Sequence, residues 1–289
     1  MRIRVGLMGF LAGMTVAGSL LLPAGAEAQE GRQWERRREA VRAPVMVFSA
    51  TQAINLPTAE TLHEGDWQFE IAHRFFPAVS EGSEALWGLD GPALMRIGLG
   101  YAPTDQALVT LARSNYQDNY DLQVKLRVLE VDHERVPLMV AIQGGVALST
   151  DVPGRESSDP ANRQYYGQLI LNALVADRLA LGLVPSYLHN VLLDEIDPVK
   201  DVFWGVNGQF FLTDVLSVLG EWRLGDGRFD APYDPGAFGL ELETGGHFFK
   251  LFLTNSVRLN PSQFLVGSEY EFEPGEWRLG FAITRLLRF

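Results

Sequence analysis

Apolar and polar residues alternate along much of this chain with a period of two. From Tyr120 onward, Tyr120, Leu122, Val124, Leu126 and Val128 fall on one face of an extended segment, and Asp121, Gln123, Lys125 and Arg127 fall on the other. A helix would scatter those charges around its circumference, so the pattern predicts a strand. The alternation recurs in Trp67, Phe69, Ile71 and Phe75 against Gln68, Glu70, Ala72 and Arg74, and in Met95, Ile97, Leu99 and Tyr101 against Arg96, Gly98 and Gly100. It returns in Phe238, Leu240 and Leu242 against Gly239, Glu241 and Glu243. The last segment sets Trp277, Leu279, Phe281, Ile283, Leu287 and Phe289 against Arg278, Gly280, Ala282, Thr284, Leu286 and Arg288. Segments near 106–114 and 215–223 alternate poorly.

Such runs predict about twelve strands, an even number as single-chain bacterial barrels have. The spans are 66–76, 94–102, 106–114, 119–130, 136–148, 164–176, 178–188, 201–212, 215–224, 237–244, 247–256 and 277–289. Tight connections at 103–105, around Asp177, at 213–214 and at 244–246 alternate with long ones at 77–93, 149–163, 189–200, 225–236 and 257–276. That is the rhythm of periplasmic turns and extracellular loops. Only helices and closed barrels satisfy every backbone polar group in lipid, and a spanning helix needs about 20 apolar residues. After Ala28 no apolar run approaches that length, so strands must do any spanning. The expected fold is all-β: a transmembrane antiparallel up-and-down barrel over residues 66–289, its final strand ending on Phe289.

The N-terminus changes the picture only in location. Arg2 and Arg4 precede an apolar stretch from Val5 to Leu22, Pro23 breaks it, and Ala26-Glu27-Ala28 offers a small-x-small cleavage site. This predicts a signal peptide over 1–28 and export to a bacterial outer membrane. Residues 29–65 are expected to form a periplasmic N-terminal segment. Within it the charged stretch Glu30 to Arg42 reads either as a solvated linker or as a tether or segment folding into the barrel mouth. Removing Arg2, Arg4 and Glu27 with the leader takes the formal charge from −12 to −13. An acidic chain lacks the basic face that nucleic acid requires. The absence of cysteine excludes disulfides, thiolate metal sites and Cys nucleophiles.

Several stretches resemble the DUF5777 family, uncharacterised outer-membrane barrels of Bacteroidetes and related bacteria. They are Phe48 to Asn55 with Leu62, Ile71 to Phe75, Gly88 to Gly91, Arg96 to Leu99, Tyr120-Asp121 with Lys125, Pro185 to Asn190, Gly246 to Phe249 with Thr254 to Ser256, and Arg278 to Phe281 with Thr284-Arg285. The resemblance spans nearly all of the mature chain and implies a barrel with no established activity.

Inward-facing charges are the main candidates for function. Simple alternation points Glu70, Arg74, Arg96, Asp121, Lys125, Arg127, Glu221, Arg223, Glu241, Glu243, Lys250 and Arg278 into the lumen. Charges of both signs can pair into a plug or line a narrow selective path, and twelve strands lie between barrels that are filled and barrels that are open. His73 and Arg285 fall on the lipid-facing parity, which suggests an interfacial position, a bulge or a binding role. His189-Asn190 joins Asp194, Glu195 and Asp197 in one acidic loop without the spacing of a calcium loop, and His247 lies in a family-like stretch. No catalytic constellation, metal site or cofactor is expected. The leading expectation is a small channel or uptake barrel for small polar solutes or ions, with outer-membrane lipid around it. Its rivals are a non-conducting scaffold docking a periplasmic or surface partner and, behind that, an outer-membrane hydrolase.

Overall fold

A computed structural model describes residues 2–5 and 46–288, apart from 192, 194–197 and 226–230. Most of the expected leader, the charged 30–42 stretch, Asp194, Glu195, Asp197 and the terminal Phe289 therefore lie outside the described residues. Twelve strands form the wall: β1 (Trp67–Ala78), β2 (Ala93–Thr104), β3 (Ala107–Ser114), β4 (Asn119–Asp132), β5 (Leu138–Ser149) and β6 (Arg163–Val175). The second half is β7 (Leu179–His189), β8 (Lys200–Phe211), β9 (Leu216–Leu224), β10 (Gly236–Glu243), β11 (His247–Thr254) and β12 (Arg278–Leu287). Each strand pairs antiparallel with its sequence neighbour, and β12 pairs with β1 to close the ring. Closure leaves no edge to satisfy in lipid. A four-residue strand, Arg2–Val5, lies outside this ring against the end of β4, with Arg2 opposite Asp132. Among the described residues no helix is long and apolar enough to cross a membrane.

Burial follows the period of two. Along β4, Asn119, Asp121, Gln123 and Lys125 are buried, while Tyr120, Leu122 and Val124 are exposed. Outward residues such as Leu111 (58% exposed), Leu251 (55%) and Val202 (53%) make an apolar band all round. In water that band would be an aggregation surface; against acyl chains it is the stable solution.

The two poorly alternating segments have a physical explanation. Leu108 on β3 and Leu219 on β9 face inward and are buried. Leu108 packs with Leu62 and Ala102, and Leu219 with Ile54 and Phe252. Apolar side chains are tolerated on the inner face because a protein segment, rather than water, covers them.

Two segments fill the lumen. At the mouth with the short turns, residues 46–62 rise into the barrel and fold back on themselves. Gln52 bridges Pro57, Ala53 N–H donates to Leu56 O at 2.9 Å, and Thr58 N–H donates to Thr51 O at 3.1 Å, which together make a β-hairpin with its turn at Ala53–Leu56. From the long-loop mouth, residues 255–268 fold inward around a four-residue helix, α1 (Pro261–Phe264), and every residue of that loop is buried. The expectation of a periplasmic segment over 29–65 is thus corrected for 46–62, which lies inside the barrel. From Met46 to Ala59 the chain carries no charge, so burial in the lumen costs no ion desolvation there.

The unusual lipid-side positions are not bulges. Register runs unbroken from Gly280 opposite Arg74 to Leu287 opposite Trp67, and the irregularity of β12 falls between Arg278 and Gly280 instead. Arg285 stays outward, opposite His247, the first residue of β11 after a tight turn. At that interfacial level a charged side chain costs only about 0–1 kcal/mol. His73 also stays outward, its ring stacked on Phe281 at 4.7 Å.

Candidate functional site

The hairpin has no charged residue until Glu60, yet three charged side chains on the wall converge on its tip. Glu221 of β9 accepts hydrogen bonds from the backbone N–H of Ile54 (3.1 Å), Asn55 (2.8 Å) and Leu56 (2.9 Å), and from Asn55 Nδ2 at 2.7 Å. Successive N–H groups in a turn form a concave anion site, and here the carboxylate of the wall occupies it. Opposite charge meets the other pole of the same peptides. Lys125 Nζ of β4 donates to Thr51 O at 2.5 Å and to Glu60 O at 3.2 Å. Lys250 Nζ of β11 donates to Gln52 O and Ala53 O, each at 2.6 Å, and lies 3.4 Å from Glu241. Hydrogen bonds to ionised groups are the strong ones, and Glu221, Lys125 and Lys250 each make two or more of them to the hairpin.

Neutral amides complete the dock. Ala59 N–H donates to Asn172 Oδ1 at 2.6 Å, Asn207 Nδ2 donates to Pro57 O at 3.3 Å, and Ser49 N–H donates to Gln209 Oε1 at 3.0 Å. Ser49 Oγ bonds Glu241, Thr51 Oγ1 donates to Gln68 at 3.0 Å, and Arg74 donates to Asn55 Oδ1 at 3.0 Å while lying over Phe252. Apolar contacts flank this polar core: Val47 and Phe48 pack with Met139, Ile170 and Val184. Leu56 sits against Gly205, where a Cβ would lie only 2.8 Å from its Cδ2. Glycine on the inner face of β8 is what lets the hairpin approach so closely.

Glu60 braces the hairpin from within. Its Oε1 accepts the N–H of Val47 at 2.7 Å and of Phe48 at 3.0 Å, tying the two arms together. Burial pushes its pKa up from 4.5 to about 7, against the lowering effect of those N–H donors and of Arg127 and Lys125. The docked state therefore binds the proton more tightly than the undocked one, so docking is strongest below pH 4.5 and weakens as pH rises through about 7. Hydrogen exchange of residues 47–60, corrected for intrinsic rates, should report greater protection at pH 5 than at pH 8. Glu60→Gln should flatten that dependence; an unchanged slope in this variant would assign it to another group.

The second stopper is held by different charges. Arg96, ion-paired with Glu70, donates to Asn260 Oδ1 at 2.9 Å. Arg223 donates to Leu265 O at 2.9 Å, Val266 O at 2.7 Å and Asp234 at 2.6 Å, and lies over Phe203. Between hairpin, loop and wall remains a polar cavity of about 20 Å³ bordered by Gln68, Glu70, Arg96, Gln123, Lys125 and Pro261. That is room for about one water.

The inward charges named from alternation thus separate into groups. Lys125, Lys250, Glu221, Glu241 and Arg74 meet the hairpin; Arg96 with Glu70, and Arg223, meet the loop. Asp121 accepts from Tyr166 and Gln123 on the wall itself. Arg127 reaches Asp105 O at one mouth, and Arg278 lies over Tyr270 and bonds Glu276 at the other. Glu243 is half-buried near the short turns. Asn190 donates to the carbonyls of Ala161 and Arg163, holding a loop with positive φ. His189 meets Tyr165 edge-on, and His247 stacks on Phe249. The described residues contain no cluster of three His or carboxylate groups placed for a metal. Alternation missed Asn172, Asn207 and Gln209, which are uncharged, and it missed the hairpin they hold. The available signal was the uncharged run before Glu60.

Residues 48–287 match a family described as a membrane bound beta barrel domain, DUF5777. The structure is similar to an outer membrane channel from Pseudomonas putida F1, with a TM-score of 0.50 and 11% identity over 79% of this chain and 98% of that one. It is also similar to the NanC porin, with a TM-score of 0.48 and 8% identity over 76% of this chain and 100% of that one. Outer membrane phospholipase A from Escherichia coli gives 0.38 and 9% identity over 78% of this chain and 90% of that one. These are likenesses of fold. A search of curated proteins gave no match.

Proposed function

The chain belongs to the DUF5777 family of membrane-bound β-barrel domains, and on that premise we propose that it is a gated outer-membrane channel for small polar solutes or ions. In this reading a cleaved leader exports it, the short turns face the periplasm, and the hairpin 46–62 is the gate. No catalytic step is assigned to it. One observation carries the reading: the lumen charges that would line a conducting path are engaged by a segment that is not itself a wall strand and runs into β1 through residues 63–66. Such a segment can leave without breaking a strand pair. The buried loop 255–268 stays as a constriction, anchored at both ends to β11 and β12. With the hairpin gone, Lys125, Lys250 and Arg74 line the lumen together with Glu221, Glu241 and Glu70, Lys250 beside Glu241 on the neighbouring strand and Arg74 on the same strand as Glu70, a mixed surface suited to small polar solutes.

Planar-bilayer recordings test this. The refolded full chain should be silent or flicker rarely, and a variant lacking 46–62 should carry steady current while keeping the heat-modifiable mobility of a closed barrel. A folded deletion variant as silent as the full chain would reject the channel and favour a scaffold that docks a periplasmic protein.

A further inference from the structure

The wall grips the hairpin mostly by its main chain. Backbone N–H groups of Ser49, Ile54, Asn55, Leu56 and Ala59 donate to Gln209, Glu221 and Asn172. Backbone carbonyls of Thr51, Gln52, Ala53, Pro57 and Glu60 accept from Lys125, Lys250 and Asn207. Hairpin side chains that hydrogen-bond the wall or its turns belong to Ser49, Thr51, Asn55 and Thr61. A seal specific for one sequence would be held by its side chains. Here a carboxylate and two ammonium groups are spent on N–H and C=O groups that every peptide offers. Beside them, Ile54 fits an apolar pocket of Leu219, Ala237 and Phe252, and Leu56 fits the space left by Gly205.

We infer that the lumen vacated by the hairpin binds short uncharged peptides in a turn conformation, so that residues 46–62 act as a tethered stand-in for the ligand. The inference deepens the gating reading and rests on it for the way the site becomes free. A peptide entering the vacated lumen would place its turn N–H groups on Glu221 and its carbonyls on Lys125 and Lys250, with apolar side chains on either flank. It would compete with the hairpin, and binding would hold the gate open. Charged side chains at the turn are disfavoured, because the mid-lumen ions are already balanced and a further buried ion would have no partner.

Isothermal titration calorimetry on the variant lacking 46–62, in detergent, tests the site independently of conductance. A second preparation, the full chain with a protease site at Gly65, is refolded, cut and freed of the released segment under mild denaturant, which guards against misfolding of the deletion variant. The probes are a synthetic peptide of residues 51–58, a scrambled peptide of the same composition, and the first peptide N-methylated at the positions of Ile54, Asn55 and Leu56. The first two should bind within about tenfold of each other, and methylation should weaken binding by about tenfold or more for each bond to the carboxylate that is lost. No binding by any peptide to a barrel that conducts would overturn the inference and leave the gate standing. Binding by the native sequence alone would also overturn it, since the lumen would then be dedicated to its own hairpin. Binding of both peptides to a barrel that stays silent would reject the gate and keep the site.

Discussion

Glu221→Ala is expected to undock the hairpin while leaving the twelve-strand wall closed. The substitution strands three successive N–H groups, each of which donates to that carboxylate in a buried setting. An orphaned buried donor costs about 1–3 kcal/mol, and bonds to a charged acceptor lie at the upper end. The three losses are coupled and do not add fully, so a total of about 3 kcal/mol or more is the reasonable expectation. That corresponds to about a hundredfold rise in hydrogen exchange of residues 47–60, read by mass spectrometry. Strand amides of β9 should keep their protection, because their partners on β8 and β10 are backbone groups. Glu221→Gln retains one acceptor and should fall between the two. If exchange of the hairpin in Glu221→Ala matches that of the parent, the carboxylate does not hold the gate.

The double variant Lys125→Met, Lys250→Met should produce the larger change in current. It removes the donors to four hairpin carbonyls, those of Thr51, Gln52, Ala53 and Glu60. It also leaves Glu241 without the ammonium 3.4 Å away. Breaking one side of a buried pair costs about 3–5 kcal/mol, because the remaining ion is uncompensated. The full-length double variant should therefore open often, giving steady current where the parent is silent. Adding Glu241→Gln should recover part of the closed time by relieving that uncompensated charge, and the coupling can be measured as a double-mutant cycle. Arg278→Ala is the control, since Arg278 lies over Tyr270 at the far mouth and has no hairpin contact among its hydrogen bonds. Equal opening in the control and in the double variant would point to general loosening of the barrel.

Both expectations concern residues whose direction was readable in advance but whose partners were not. Lys125, Glu221 and Lys250 point inward by parity alone, because a strand has only two faces and lipid tolerates one kind of side chain. What they touch depends on a segment far away in sequence: Glu221 meets residues 54–56, and Lys250 meets residues 52 and 53. No periodicity within either strand carries that information. The uncharged run ahead of Glu60 is compatible with a buried segment, and the apolar Leu108 and Leu219 with a dry patch on the inner wall, but neither was read so from sequence. Neither feature gains meaning until the two are placed against each other.

His73 and Arg285 show the opposite case. Their parity predicted a lipid-side position, and they do face outward; a bulge was the rival explanation, and the continuous register from Gly280 to Leu287 removes it. What remained for Arg285 was depth, which β11 supplies by placing His247, its first residue, opposite it.

By itself, then, the amino-acid sequence determined the closed barrel, its strand boundaries to within a few residues and, outside the poorly alternating 106–114 and 215–223, the side of the wall its strand residues occupy. These follow from local rules: a period of two, the cost of unpaired backbone in lipid, and turn chemistry. Only the tertiary structure decided that the lumen is filled, by which segments, and that its charges hold peptide groups as well as one another. Those are matters of which distant groups meet in a low-dielectric space, where an ion takes whatever dipole the fold brings within reach.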